Sequence, residues 1–191
     1  MHRPLHILLL TTFLLCLGAK ANAQSILAGL YQSPKGVGAT LMLDAGEGEE
    51  FNIFTLRTDF YGFWTHRTDR IGVFLTYTHD YSILRTGSED FYLDLHAGAG
   101  ASLGYALDYE KGFFSSFDRE LSHGPGGVIA LTGSIGVRFD FQRRLSLDLG
   151  FSLDPGIHLR TDPRTGALLL SFYKNGIYRG YYPNLNLLYR F

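Results

Sequence analysis

Apolar and polar residues alternate along most of this chain, and the alternation predicts an all-β fold: a closed antiparallel up-and-down barrel of about eight strands. Three observations carry the prediction. From Ile129 to Phe141 the odd positions are Ile129, Leu131, Gly133, Ile135, Val137, Phe139 and Phe141, while Ala130, Thr132, Ser134, Gly136, Arg138 and Asp140 take the even ones. After Gln142, Arg143 and Arg144 the pattern resumes, with Leu145, Leu147, Leu149, Phe151 and Leu153 set against Ser146, Asp148, Gly150, Ser152 and Asp154. Successive side chains leave opposite faces of a strand, and so short a connection makes the pair antiparallel, since a parallel return needs about a dozen residues or more. The third observation is an alternating run from Phe91 to Leu107, well beyond the roughly five or six residues usual in a soluble sheet.

In chain order, the first 23 residues combine a basic Arg3, an apolar run from Leu5 to Leu17 and the small-residue site Ala21, Asn22, Ala23. This reads as a secretory signal peptide cleaved before Gln24, its apolar run being shorter than the roughly 20 residues of a spanning helix. Residues 24–191 are then one exported domain. The single cysteine, Cys16, lies in the leader, and Leu15 stands before it where a lipid-anchor site needs a small residue. Removing the leader removes the thiol, which excludes disulfides and cysteine chemistry.

Ser25 to Ser33 suits a first strand, Pro34 to Gly36 a turn, and Val37 to Asp44 a second strand with Val37, Ala39, Leu41 and Leu43 on one face. The acidic segment from Ala45 to Glu50 breaks the pattern. From Phe51 to Trp64 the apolar row is Phe54, Leu56, Phe60 and Trp64, opposite Thr55, Arg57, Asp59 and Tyr61. Ile71, Val73, Leu75 and Tyr77 then oppose Gly72, Thr76, Thr78 and Asp80, with Phe74 interrupting the polar row. Thr86 to Asp90 reads as a polar tip, and Asp108 to Gly127 as a long loop carrying Phe113, Phe114 and Phe117. Between Pro155 and Tyr182, Asp162-Pro163-Arg164 suggests a tip and Asn175-Gly176 a type I′ hairpin turn. The last strand alternates Leu185, Leu187, Tyr189 and Phe191 with Asn184, Asn186, Leu188 and Arg190.

Periodicity leaves two orientations open. A soluble lipocalin-like barrel turns its leucines inward; a transmembrane barrel turns them to lipid and encloses the polar row. The sequence has only four lysines, Lys20, Lys35, Lys111 and Lys174, although soluble sheets guard their edges and faces with lysine. Together with the length of the Phe91 to Leu107 run, this favours lipid outside. A formal net charge of -1 gives no case for nucleic acid.

The closing segment LNLLYRF, with Leu185, Leu187, Tyr189 and the final Phe191 at every second position, resembles the C-terminal signal of small Gram-negative outer-membrane β-barrels. The resemblance implies an integral place in the outer membrane of the cell envelope and contact with its lipids, lipopolysaccharide included. It also implies handling by the barrel-assembly machinery through those four residues. Porins, adhesins, lipid enzymes and assembly factors share this class, so it implies no single activity. A monomer is expected.

Such barrels have an even strand number with short periplasmic turns. Taking Gln142 to Arg144 as one of those turns makes 108–127 and 155–181 outside loops and Ser25 to Ser33 the first of about eight strands. A rival count, with Asn175-Gly176 as an outside turn, also gives eight but leaves Ser25 to Ser33 as a lead-in. An interior of this size is filled by side chains. Gly98, Gly100, Gly104, Gly136 and Gly150 on the inner rows leave room for Arg57, Tyr61, Phe74 and Arg138. The expected lumen network is Arg57, Asp59, Asp94, His96, Arg138, Asp140 and Asp148, its charges neutralised in pairs, with no wide pore. Trp64, Tyr77, Tyr105, Phe139, Phe141 and Tyr181 fit interfacial girdles.

Ser102, His96 and Asp94, with His79-Asp80, supply the residue types of a Ser-His-Asp site, as in an outer-membrane deacylase or acyltransferase. No nucleophile-to-base spacing supports catalysis, so a non-enzymatic barrel displaying loops or stabilising the envelope is expected, without cofactor. His123 and His158 lack the paired spacing of a zinc site. AGAGASLG is a strand face, since no helix follows it. Arg143-Arg144 is either a lipid-phosphate contact or an ordinary charged turn.

Overall fold

A computed structural model describes residues 25–44, 49–60, 71–88, 90–107, 125–141, 144–161 and 165–191. The leader, Tyr61, Trp64, Phe113, Phe114, Phe117, His123 and Arg143 lie outside the described residues. In chain order the strands are β1 (Ser25–Ser33), β2 (Gly36–Asp44), β3 (Glu50–Asp59), β4 (Gly72–Ser88), β5 (Phe91–Leu107), β6 (Pro125–Phe141), β7 (Leu145–Leu153), β8 (Gly156–Thr161), β9 (Leu168–Phe172) and β10 (Asn184–Arg190). A short helix, α1 (Lys174–Tyr178), and a 3-10 turn at Arg179–Tyr181 precede β10.

Each strand from β1 to β7 pairs antiparallel with the next, and β10 lies between β7 and β1, so eight strands close a ring. Tyr31 opposite Asn186 and Leu187 opposite Leu147 mark the registers on either side of β10. Closure leaves these strands no free edge over their shared length, which is how a barrel satisfies its backbone. Ser25 to Ser33 is thus a ring strand and not a lead-in.

One end of the barrel, the terminal end, carries the start of β1 and the ends of β2, β4, β6 and β10. The other end, the mouth, carries the ends of β1, β3, β5 and β7 and residues 154–161 and 165–183. β4 runs on through Thr86, Gly87 and Ser88, where a polar tip was expected, with a bulge between Ser82 and Leu84. Pro125, Gly126 and Gly127, expected in a loop, begin β6 opposite Leu107, Ala106 and Tyr105.

The apolar rows face outward: Leu131 is 71% exposed, whereas Asp80, Asp94 and Asp154 are fully buried. Inside, Leu27, Met42, Phe51, Ile53 and Leu188 pack near the terminal end, and Phe74, Ala106, Val128, Ala130 and Tyr173 near the mouth. Charged and hydroxyl side chains fill the space between. Phe74, which breaks the polar row in the sequence, lies 5.7 Å from the Tyr173 ring and joins the upper cluster.

The 155–182 segment differs most from expectation. β8 continues the line of β7 along β6 after Asp154 and Pro155, and β9 folds back on β8. Asn175 and Gly176 are buried in α1 and make no hairpin turn. The Asp154 N–H donates to the Gly176 carbonyl at 3.0 Å, and a Cβ on Gly176 would stand 1.8 Å from the Asp154 carbonyl oxygen. That close backbone approach, not a turn, is what requires glycine.

Candidate functional site

The strands deliver charged side chains to the lumen because every second residue must face it. Nearest the mouth, Asp154 accepts from Arg57 Nη2 at 2.6 Å, Arg179 Nη1 at 2.5 Å and the Thr132 hydroxyl at 2.8 Å. Arg57 also stacks 4.5 Å from the Phe74 ring centre, and Arg179 Nη2 donates to the Tyr31 hydroxyl at 2.8 Å. One carboxylate just past the end of β7 thereby gathers β3, β6 and the segment that crosses the mouth.

Around this cluster the groups outside the strands are electrostatically stressed. Burial pulls Lys35, in the β1–β2 turn, down from 10.5 to about 8, opposed by Asp59 and assisted by Arg179 and Arg57. Its Nζ donates to the Asn175 carbonyl at 3.3 Å. Burial also works against the Arg179 charge, but the Asp154 carboxylate outweighs it and holds the guanidinium above its ordinary value.

In the middle of the barrel His96 spans two carboxylates, Nδ1 to Asp80 Oδ2 at 2.9 Å and Nε2 to Asp148 Oδ1 at 3.1 Å. Ser134 donates to Asp80 at 2.9 Å and Asn186 to Asp148 at 3.1 Å. Nearer the terminal end, Arg138 donates to Asp94 at 2.9 Å and lies 3.3 Å from Asp140, with its guanidinium 4.1 Å from the Phe51 ring centre. Asp94 takes the Ser82 hydroxyl at 2.6 Å, and Asp140 that of Ser146.

Glycines make the room. A Cβ on Gly104 would sit 2.3 Å from the Phe74 ring, one on Gly136 2.7 Å from His96 Nε2, and one on Gly98 2.3 Å from Asp80 Oδ1. A cavity of about 50 Å³ remains among Thr76, Thr78, Asp80, His96, Thr132 and Asp148, enough for a few waters.

Of the residues singled out from sequence, the fold brings Asp94, Arg138 and Asp140 into one cluster and joins His96 to Asp148. Arg57 pairs with Asp154, which was not in the expected network. Asp80, Asp154, Arg179, Lys35 and Tyr31 stood outside the expected lumen network, Asp80 having been singled out only with His79 as a catalytic type; Asp80 and Asp154 carried a signal, since each ends an inward row.

Of the Ser-His-Asp types, His96 meets Asp80, but neither Ser102 nor Asp94 bonds it. Ser102 bonds Thr76 at 2.8 Å and Thr132 at 2.7 Å, and His79 projects from the opposite face to Asp80. His158 is buried and donates from Nε2 to the Ala106 carbonyl at 3.0 Å. No group of three or more potential metal-binding side chains occurs among the described residues.

Tyr105 and Tyr181 are exposed outside near the mouth, with Phe139 and Phe141 on the outer surface near the terminal end. Tyr77 lies between, its hydroxyl donating to Asn52 at 2.9 Å. Leu185, Leu187, Tyr189 and Phe191 follow the outer face of β10 to the chain end.

The order and closure of this ring decide the comparison with solved structures. The chain shares a β-barrel fold with the N-terminal β-barrel domain of Pseudomonas aeruginosa OprF. The likeness has a TM-score of 0.51 at 12% identity and covers 89% of this chain and 98% of the OprF domain. No family model and no curated protein matches the sequence.

Proposed function

We propose that this protein is an integral outer-membrane β-barrel whose filled interior serves as a rigid scaffold for what its mouth presents. The observation that carries the proposal is the inverted polarity of the wall: Leu131 at 71% exposure on the outside, Asp80, Asp94 and Asp154 fully buried inside. In water that arrangement forfeits the burial of whole aliphatic rows, at about 25 cal/mol for each Å². In hydrocarbon it is the favourable one. The OprF-like fold and the signal-peptide-like leader support the same reading, and the LNLLYRF terminus supports passage through the barrel-assembly machinery.

The lumen favours a structural role over transport or acyl transfer. His96 is held between two carboxylates and Ser102 is bonded elsewhere, so neither makes an activated nucleophile among the described residues. Lipids, lipopolysaccharide among them, are the proposed surroundings, and the barrel is a monomer.

Detergent-extracted protein, run with and without boiling, tests this directly. The folded barrel migrates faster than the boiled chain and resists carbonate extraction from membranes. Release by carbonate would return the chain to the soluble ligand-binding class. A deletion strain with unchanged lipid acylation is expected; an altered profile would favour a lipid-modifying enzyme.

A further inference from the structure

Among the described residues the outer wall carries an ordered polar sector that the scaffold role leaves unused. On β3 and β4, from mid-barrel to the terminal end, Tyr77, Asn52, His79, Glu50 and Tyr81 all project outward, Asn52 lying directly opposite His79 and Glu50 opposite Tyr81. Elsewhere around this end the outward row runs through Phe91, Phe139, Phe141, Leu145, Tyr189 and Phe191, with the small hydroxyls Thr86 and Ser88 on the extension of β4 past the sector. The sector is internally ordered. Tyr77 Oη donates to Asn52 Oδ1 at 2.9 Å, and His79 Nδ1 lies 3.0 Å from the same oxygen, so its N–H also donates there. His79 meets the Tyr81 ring edge to face at 4.7 Å, and its Nε2 stands 3.9 Å from Glu50 Oε2.

Two capacities remain. The Glu50 carboxylate is half exposed, and the Asn52 amide N–H groups have no partner among the described residues. Polar groups on a lipid-facing wall are costly unless something meets them. Beside the sector the wall is shallow: Ala97, Ala99 and Ala101 pair with Tyr81, His79 and Tyr77, and next to Ala99 a Cβ on Gly133 would touch nothing within 4 Å.

We propose that this sector binds one zwitterionic phospholipid of the ethanolamine type, in the leaflet that meets the terminal end. Its ammonium sits against the Glu50 carboxylate and the Tyr81 ring, a carboxylate and an aromatic face being the pair that suits an organic cation. Its phosphodiester accepts from the Asn52 amide, and an acyl chain lies in the alanine furrow. The sector's formal charge comes from Glu50, which favours this headgroup over an anionic glycerol one. The inference rests on the membrane-inserted reading.

The test uses the full mature chain in detergent, titrated with dioleoyl phosphatidylethanolamine or dioleoyl phosphatidylglycerol and read by native mass spectrometry. One ethanolamine lipid is retained per barrel, roughly fivefold more tightly than the glycerol lipid, on the scale of one exposed cation–π and charge contact. Glu50→Gln and Tyr81→Leu each erase that preference, and Asn52→Leu weakens both lipids; heat-shifted migration checks that the variants fold. Equal retention of the two lipids, an unchanged preference in Glu50→Gln, or a lipid-free dimer lost in Tyr81→Leu overturns the site. A barrel that inserts into bilayers without lipid preference sinks this proposal alone, whereas failure to insert sinks the membrane reading.

Discussion

The Asp154 carboxylate and the Arg179 guanidinium meet at 2.5 Å, with Asp154 fully buried and Arg179 nearly so. The contact joins the end of β7 to the segment that crosses the mouth. Asp154 also holds Arg57, so its two partners are not equivalent to it. Removing one member of a buried pair costs about 3–5 kcal/mol, because the other charge is left behind. Arg179→Met leaves Asp154 still paired, while Asp154→Asn strands two cations. Asp154→Asn is therefore expected to destabilise more, and adding Arg179→Met to it costs less than Arg179→Met alone. Urea unfolding of the four proteins gives the cycle; additive effects contradict the shared hub.

Lys35 gives a pH signature. Its folded value is about 8 against 10.5 when unfolded. Between those values the unfolded chain keeps a proton that the folded barrel has released, so stability rises with pH through that window and is flat below it. The full difference is up to about 3 kcal/mol. Unfolding midpoints measured from pH 7 to 10.5 are expected to climb in the native protein and not in Lys35→Met, the difference between the two isolating this group. A fall in that difference refutes the buried-lysine account.

Much of this arrangement was legible because a period of two is local information. Ile129 to Phe141 and Leu145 to Leu153 announce both faces and the turn between them, and, with 155–181 taken as one outside loop, the even strand number pulls Ser25 to Ser33 into the ring. The mouth was not legible, because its structure is decided by partners far along the chain. Asn175-Gly176 has the composition of a hairpin turn, yet Gly176 is placed by the Asp154 backbone. Arg179 stands in a segment with no alternation to say that it points inward, and its partner is 25 residues away. Arg57 was expected to be neutralised from among Asp59, Asp94, Asp140 and Asp148, but Asp154, 97 residues along the chain, reaches it across the lumen.

Two glycines with similar sequence settings are expected to behave oppositely. Gly104 faces the lumen, where a Cβ meets the Phe74 ring at 2.3 Å; at Gly133, on the outside, it meets nothing. Gly104→Ala overpacks the upper cluster and costs about 1–3 kcal/mol. Gly133→Ala is neutral or stabilising by about 0.5–1 kcal/mol through the restricted unfolded chain. Phe74→Leu recovers part of the Gly104→Ala loss, since it removes the ring in contact. Chemical denaturation of the three variants decides the assignment of inner and outer rows.

A charge placed on the outer wall separates the two environments that wall can have. Leu131 is 71% exposed and pairs across strands with Ala101, with Ile129 before it and Gly133 after it on the same row. On a water-facing surface Leu131→Arg changes stability by no more than about 0.5 kcal/mol. Facing hydrocarbon, the same substitution costs about 2–4 kcal/mol near the bilayer midplane and about 0–1 near its borders. The expected result in lipid vesicles is a loss above 1 kcal/mol for Leu131→Arg and a smaller one for Leu145→Arg, which lies at the terminal end of the barrel. In a short-chain detergent micelle, which adapts around a charge, the gap between the two narrows. A Leu131→Arg barrel as stable in vesicles as the native one would mean that water, not lipid, meets this row.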